Sequence, residues 1–318
     1  MKKALLYSIF ALSIASTTLT SCEDIFGGFL DKQPSNELTG EQVFSDWNLT
    51  VQFHLDTYNF LRHGAGRIST TWLDAATDLA ETSYGNGVRT SFNIGNFYGG
   101  SGASELVDTW EHYYRGIRKC NMLLTRIEEV PQNPADSEDK YNRDKKNYIA
   151  EARFLRAYFY WELFLRYGPI PIVTEVLDPD GDLMSKYTIR PTTKEYVVDF
   201  ILEELKSCED DLLDYKTAWT SSSAGRIGQP MACALRSRIM LFMASPRYSS
   251  ESGITWQQAA NVAKEFIDNY GTNFALFNDK DATGATLGIE NYTNALLRTV
   301  ATRKLSSTEM TTSRIGAI

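Results

Sequence analysis

The sequence predicts a predominantly helical protein assembled from antiparallel helix pairs, and two observations carry that expectation. The first is residues 150–173, AEARFLRAYFYWELFLRYGPIPIV, where Phe154, Tyr158, Trp161 and Leu165 recur at the i, i+4, i+7, i+11 spacing of one helix face. Leu155, Phe159 and Leu163 fill the neighbouring face, so this helix must be buried on most sides. Glu162 stands four residues before Arg166, the favourable order for an ion pair along a helix. Gly168 tolerates a left-handed cap, and Pro169 and Pro171 prevent the helix from resuming. The second observation is that helix-length periodic segments alternate with short polar loops along the rest of the chain.

Taken in order, Lys2 and Lys3 precede an apolar run from residue 4 to 15, too short to span a bilayer as a mature helix. Leu19, Thr20, Ser21 and Cys22 then form a lipoprotein cleavage box, which needs a thiol because lipid is attached through sulfur. Residues 1–21 therefore read as a signal peptide, and residues 22–40 as a lipidated tether beginning at Cys22. A helix is expected over 41–63, with Val43, Phe44, Trp47, Val51, Leu55 and Tyr58 inward, and a short one over 71–81. Residues 84–102, rich in Gly and Asn with four aromatics, read as a long irregular loop. A long helix over 103–130 ends at Pro131, and the 140–167 helix packs back against it. Helices over 193–215 and 229–244 form a second pair, with Thr192 or Thr193 as N-cap and Glu195 in the first turn. A third element covers 255–270 and ends at Gly271. Pairs of this length are the unit of tetratricopeptide-like solenoids, although the consensus of that repeat is poorly matched.

Composition narrows the function. A net charge of −8 and a pI near 5.1 argue against nucleic acid as partner. Cys120, Cys208 and Cys233 lie in apolar helical contexts without metal spacing and read as buried thiols, with one disulfide among them left open. His54, His63 and His112 show no paired ligand spacing, so no metal or other cofactor is expected. Asp74, Asp78 and Glu81 share one helix face, but a glycosidase draws its two carboxylates from separate elements. There is no GxSxG and no phosphate-binding glycine loop, so the chain reads as a binding protein rather than an enzyme.

The 150–173 string closely resembles the hallmark helix of the SusD/RagB family, surface nutrient-binding lipoproteins of Bacteroidota. Ala232, Ala234, Leu235, Arg238, Leu241 and the turn from Ala244 to Tyr248 are similar to the family pattern for the 229–244 helix. Glu23 and Asp24 resemble the acidic export tag that follows the lipidated cysteine in outward-facing members. The resemblance covers the signal, both helix pairs and the third element, as far as about Gly271. It implies a tetratricopeptide-like body over 41–275, with 276–318 as the truncated start of a C-terminal region. It also implies an outer-membrane location facing outward, and uptake of oligosaccharide with a SusC-like TonB-dependent transporter. A peptide ligand, as in RagB-like members, or a scaffold or adhesin role stays open. In starch-binding members of that family, a loop before the long helix contributes aromatic and polar ligand contacts. Here Arg89, Asn93, Asn96, Phe97 and Tyr98 place a guanidinium, amides and aromatic faces on that loop, the chemistry that binds sugars.

Overall fold

The computed structural model describes residues 39–62, 75, 77–80, 93–95, 104–178, 180–183, 187–218, 220 and 223–274. By contact the chain divides into two units, Met1–Val43 and Phe44–Ile318. In the first, Thr39 and Gln42 cap each other reciprocally at the start of α1 (Gly40–Phe44). Everything below concerns the second.

The expected helix over 41–63 is broken. Asp46, in extended backbone, accepts a 2.9 Å bond from the Leu49 amide and starts α2 (Trp47–Asp56), which tightens into a 3₁₀ turn over Thr57–Phe60. Aspartate competes for backbone donors and favours such a restart. The inward face is accordingly Trp47, Thr50, His54 and Thr57, and Leu55 is 42% exposed rather than core. Thr50 is satisfied by the Asp46 carbonyl and His54 by Glu151, which is how two polar side chains come to be buried.

The long helix α3 (Ser104–Arg126) and the hallmark helix α4 (Glu138–Tyr167) make the most extensive helix contact among the described residues. Ser137 caps α4 by accepting from the Lys140 amide, and the helix ends at Gly168, whose φ of 69° suits glycine. From Ala150 to Phe164 nearly every residue of α4 is buried, as the aromatic stripe predicted. Its Glu162 meets Arg166 at 3.0 Å. Gly116 lets the two helices approach: a Cβ there would lie 2.7 Å from the Phe159 ring. Replacing Gly116→Leu should overpack this contact and lower stability by about 1–3 kcal/mol, read as a shifted denaturant midpoint.

After α4, Lys194–Leu202 is π-helical and continues into α5 (Glu203–Cys208). Thr192 and Glu195 form a reciprocal cap, so Thr192 rather than Thr193 does the capping. The helix stops short of residue 215, because Glu209, Asp210 and Asp211 place three carboxylates at a helix C-terminus. A short α6 (Tyr215–Ala218) precedes α7 (Gln229–Met243), α8 (Ser249–Ser252) and α9 (Trp256–Tyr270), which opens on a Thr255–Gln258 capping box. α7 packs more extensively on α9 than on α5, so the second pairing differs from the expected one. Among the described residues there is one isolated bridge, Leu213 to Gly228, no strand, and no helix long and apolar enough to cross a membrane. The fold is therefore mostly α, in paired helices, as predicted.

Candidate functional site

A groove of about 370 Å³ runs along α3. Trp110, Tyr114, Ile117 and Asn121 form its floor, the i, i+4, i+7, i+11 stripe of that helix, with Arg115 and Arg118 on one lip. Its far wall is the segment containing Val173, Glu175 and Leu177, which Gly168, Pro169 and Pro171 turn back along α3.

Side-chain bonds to backbone fix that wall. Tyr114 donates to the Pro171 carbonyl at 2.9 Å, and Asn121 donates to the Val173 and Glu175 carbonyls at 2.9 and 3.0 Å. Arg118 donates to the Leu177 carbonyl at 3.1 Å. The Tyr160 hydroxyl donates to the Val173 carbonyl and accepts from its amide. Behind the floor, Asn121 accepts from Arg156, which pairs at 2.6 Å with Glu204 of α5, and Glu204 also holds Arg153. The groove is thus braced from the core.

At the open end Trp110 is 39% exposed and packs against Tyr114 (4.9 Å) and edge-on against Tyr167 (5.2 Å). This makes an aromatic shelf beside Arg115, which pairs with the exposed Glu111 at 3.8 Å. An aromatic face next to a guanidinium and carboxylates can stack on the C–H surface of a sugar and hydrogen-bond its hydroxyls.

Among the described residues, the thiols, the His112 ring and the acidic cluster are committed to the fold. Burial pushes the Cys120 and Cys208 thiols to about 12 and that of Cys233 to about 11, so none is a thiolate near neutrality. All three are free and buried. Burial lowers the His112 pKa, and its Nε2 is committed to the Phe60 carbonyl. Glu209, Cys233 and Glu265 lie close enough together to hold a metal ion, but Arg236 bonds both carboxylates and Lys206 reaches Glu265, so the cationic charge is already present.

Of the sequence-predicted contacts, Asn93 is exposed, and its amide donates to the buried Ala75 carbonyl at 3.0 Å, so its NH₂ group helps pin the loop. Arg89, Asn96, Phe97, Tyr98 and the lipidation residue Cys22 lie outside the described residues, as do Asp74 and Glu81 of the acidic face. The shelf of Trp110, Tyr114 and Tyr167 was not anticipated. Its signal, aromatics four apart at the start of a long helix, is identical to that of core.

A protein-family model described as "starch-binding associating with outer membrane", of the SusD-like type, matches residues 28–241. The chain belongs to the SusD/RagB family. A SusD-like protein of Formosa agariphila is 24% identical over 228 residues, covering 70% of this chain and 41% of that protein. The crystal structure of a SusD-like protein from Bacteroides fragilis matches with a TM-score of 0.58 and 25% identity, over 78% of this chain and 42% of the other. A laminarin-binding SusD-like protein matches at 0.50 and 19% identity, over 77% and 47%, and so shares the fold. The chain spans less than half the length of these relatives.

Proposed function

We propose that the protein is an outer-membrane lipoprotein, anchored through Cys22 and facing outward, that binds a glycan without turnover and passes it to a SusC-like TonB-dependent transporter. The observation that carries the binding part is the Trp110 shelf: a large aromatic kept partly in water beside Arg115, in a member of a family described as starch-binding. Burial of that ring elsewhere would have been worth a few kcal/mol, so its exposure is a cost that a stacking ligand offsets. The 84–102 loop leads into α3, so Arg89, Asn96, Phe97 and Tyr98 are assigned to the same ligand. The anchoring part is supported by the basic start, the short apolar run and the cleavage box ending at Cys22. Two or more acyl chains hold a protein stably, at about 0.8 kcal/mol per buried CH₂.

Cys22→Ala should release the protein from native membranes in unprocessed form. The wild type, extracted in mild detergent, should bring a large β-barrel receptor with it. Normal processing and membrane retention of Cys22→Ala would remove the anchor from the account, and co-purification without any barrel would remove the transporter.

A further inference from the structure

Asparagine is a weak helix former, and a buried amide gives up its hydration. Asn121 nevertheless sits inside α3 at 1% exposure, so tertiary bonds must compensate. Both N–H groups of its amide are used, on the Val173 carbonyl at 2.9 Å and the Glu175 carbonyl at 3.0 Å. Its oxygen accepts from Arg156 at 2.9 Å. That contact fixes how the amide is turned, because a guanidinium has donors and no acceptor and can face only the oxygen. The NH₂ group is thereby aimed at the groove wall.

Arg156 is held in turn. It is buried and pairs with Glu204 at 2.6 Å, and Glu204 also takes Arg153 at 2.9 Å. Glu204, Arg156, Asn121 and the two carbonyls form one chain of bonds, charged at its inner end and neutral at the groove. Bonds in such a chain polarise one another, so the charge on Arg156 strengthens both amide donors.

The wall depends on such bonds. Among the described residues, no backbone-to-backbone hydrogen bond reaches 171–177. Side chains hold the segment instead: Tyr114 on Pro171, Tyr160 and Asn121 on Val173, Asn121 again on Glu175, and Arg118 on Leu177. Arg118 bonds at the exposed surface, where water competes for both partners. Asn121 grips two carbonyls, on either side of Thr174, from a dry position.

We propose that Asn121 is the positioning residue of the groove on α3. With Arg156 holding its amide, it sets how far the 171–177 wall stands from the floor, and so which ligands the groove selects. This rests on the reading of that groove as the glycan site. The Trp110 shelf at the open end offers stacking to any sugar face, whereas a fixed wall rejects ligands of the wrong width. Affinity and selectivity thus come from different residues.

The test uses the full chain with Asn121→Asp. The carboxylate keeps the side-chain shape and the Arg156 bond but has no donors, so it repels both carbonyls. In the free protein, hydrogen exchange of the 172–177 amides should quicken about tenfold or more, while the α4 amides keep wild-type rates. In calorimetry against a panel of oligosaccharides, the preferred glycan should lose roughly tenfold in affinity and the poorer ligands little, so the ratio between them collapses. A mere loss of fold would lower every affinity together and leave that ratio intact. Glu204→Gln, which keeps an acceptor for Arg156 but removes the negative charge, should move exchange and ratio the same way by less. Wild-type exchange at 172–177 in both variants would overturn the proposal, and so would a loosened wall with an unchanged affinity ratio. Failure of the wild type to bind any glycan would overturn the proposed function instead, and exchange would still decide whether Asn121 sets the wall.

Discussion

Trp161→Ala should cost about 3–5 kcal/mol, the range for deleting a large aromatic from a packed core. The side chain is 2% exposed, within the main hydrophobic cluster. It stacks on Phe164 with centroids 5.5 Å apart and meets Phe242 of α7 edge-on at 5.4 Å, so it joins the hallmark helix to the second half of the fold. Removing it leaves a cavity between α4 and α7 that rigid neighbours refill only in part. The measurement is the denaturant midpoint, which should fall with little change in slope. Trp110→Ala provides the contrast. Its ring is partly solvated already, so stability should change far less than in Trp161→Ala.

Glu151→Leu should be comparably damaging, for a different reason. The carboxylate is fully buried and serves as acceptor for three side chains from two segments: His54 Nε2 and the Tyr58 hydroxyl from the α2 region, both at 2.8 Å, and Arg226 at 2.6 Å from the loop before α7. His54 Nε2 and Arg226 both lie within hydrogen-bond reach of the carboxylate, so its negative charge is met inside the protein. Losing the acceptor strands a partly buried guanidinium and two donors, at a cost of about 3–5 kcal/mol. Burial by itself would raise the Glu151 pKa, but the bond and charge of His54, followed by those of Arg226, outweigh it and hold the carboxyl below its usual range. A depressed carboxylate contributes stability that is complete above the unfolded value of about 4.3 and is lost as pH falls through the lower folded value. Wild type should therefore lose stability below about pH 4 by a component that Glu151→Leu lacks.

Much of the scaffold was legible because one signal dominated. The aromatic stripe of α4, the Gly168 stop and the Glu162–Arg166 pair all follow from helical spacing, and all are present. The break at Asp46 was missed because the apolar period runs on across it, and only the capping preference of aspartate marks it. The π-helical start of the 194–208 segment has no spacing signature. Glu151 and His54 were unreadable for a deeper reason. Their burial depends on partners 93 and 97 positions away, and periodicity carries no information about those. The groove on α3 lies between these cases. Its stripe of Trp110, Tyr114, Ile117 and Asn121 was visible, but which part of the stripe stays open depends on where the 171–177 segment lands.

The central claim is that the chain holds glycan by stacking and does not transform it. Calorimetry of the purified protein against a panel of oligosaccharides and peptides, with Trp110→Ala, Tyr98→Ala and Arg89→Ala alongside, tests it most directly. The expected result is binding of one glycan class with a Kd on the order of micromolar or weaker, nearly independent of salt. Trp110→Ala should weaken it roughly tenfold or more, equivalent to about 1.4 kcal/mol, and the ligand should be recovered intact. Equal affinity in all three variants, a preference for peptide, or any turnover of the ligand would contradict the account.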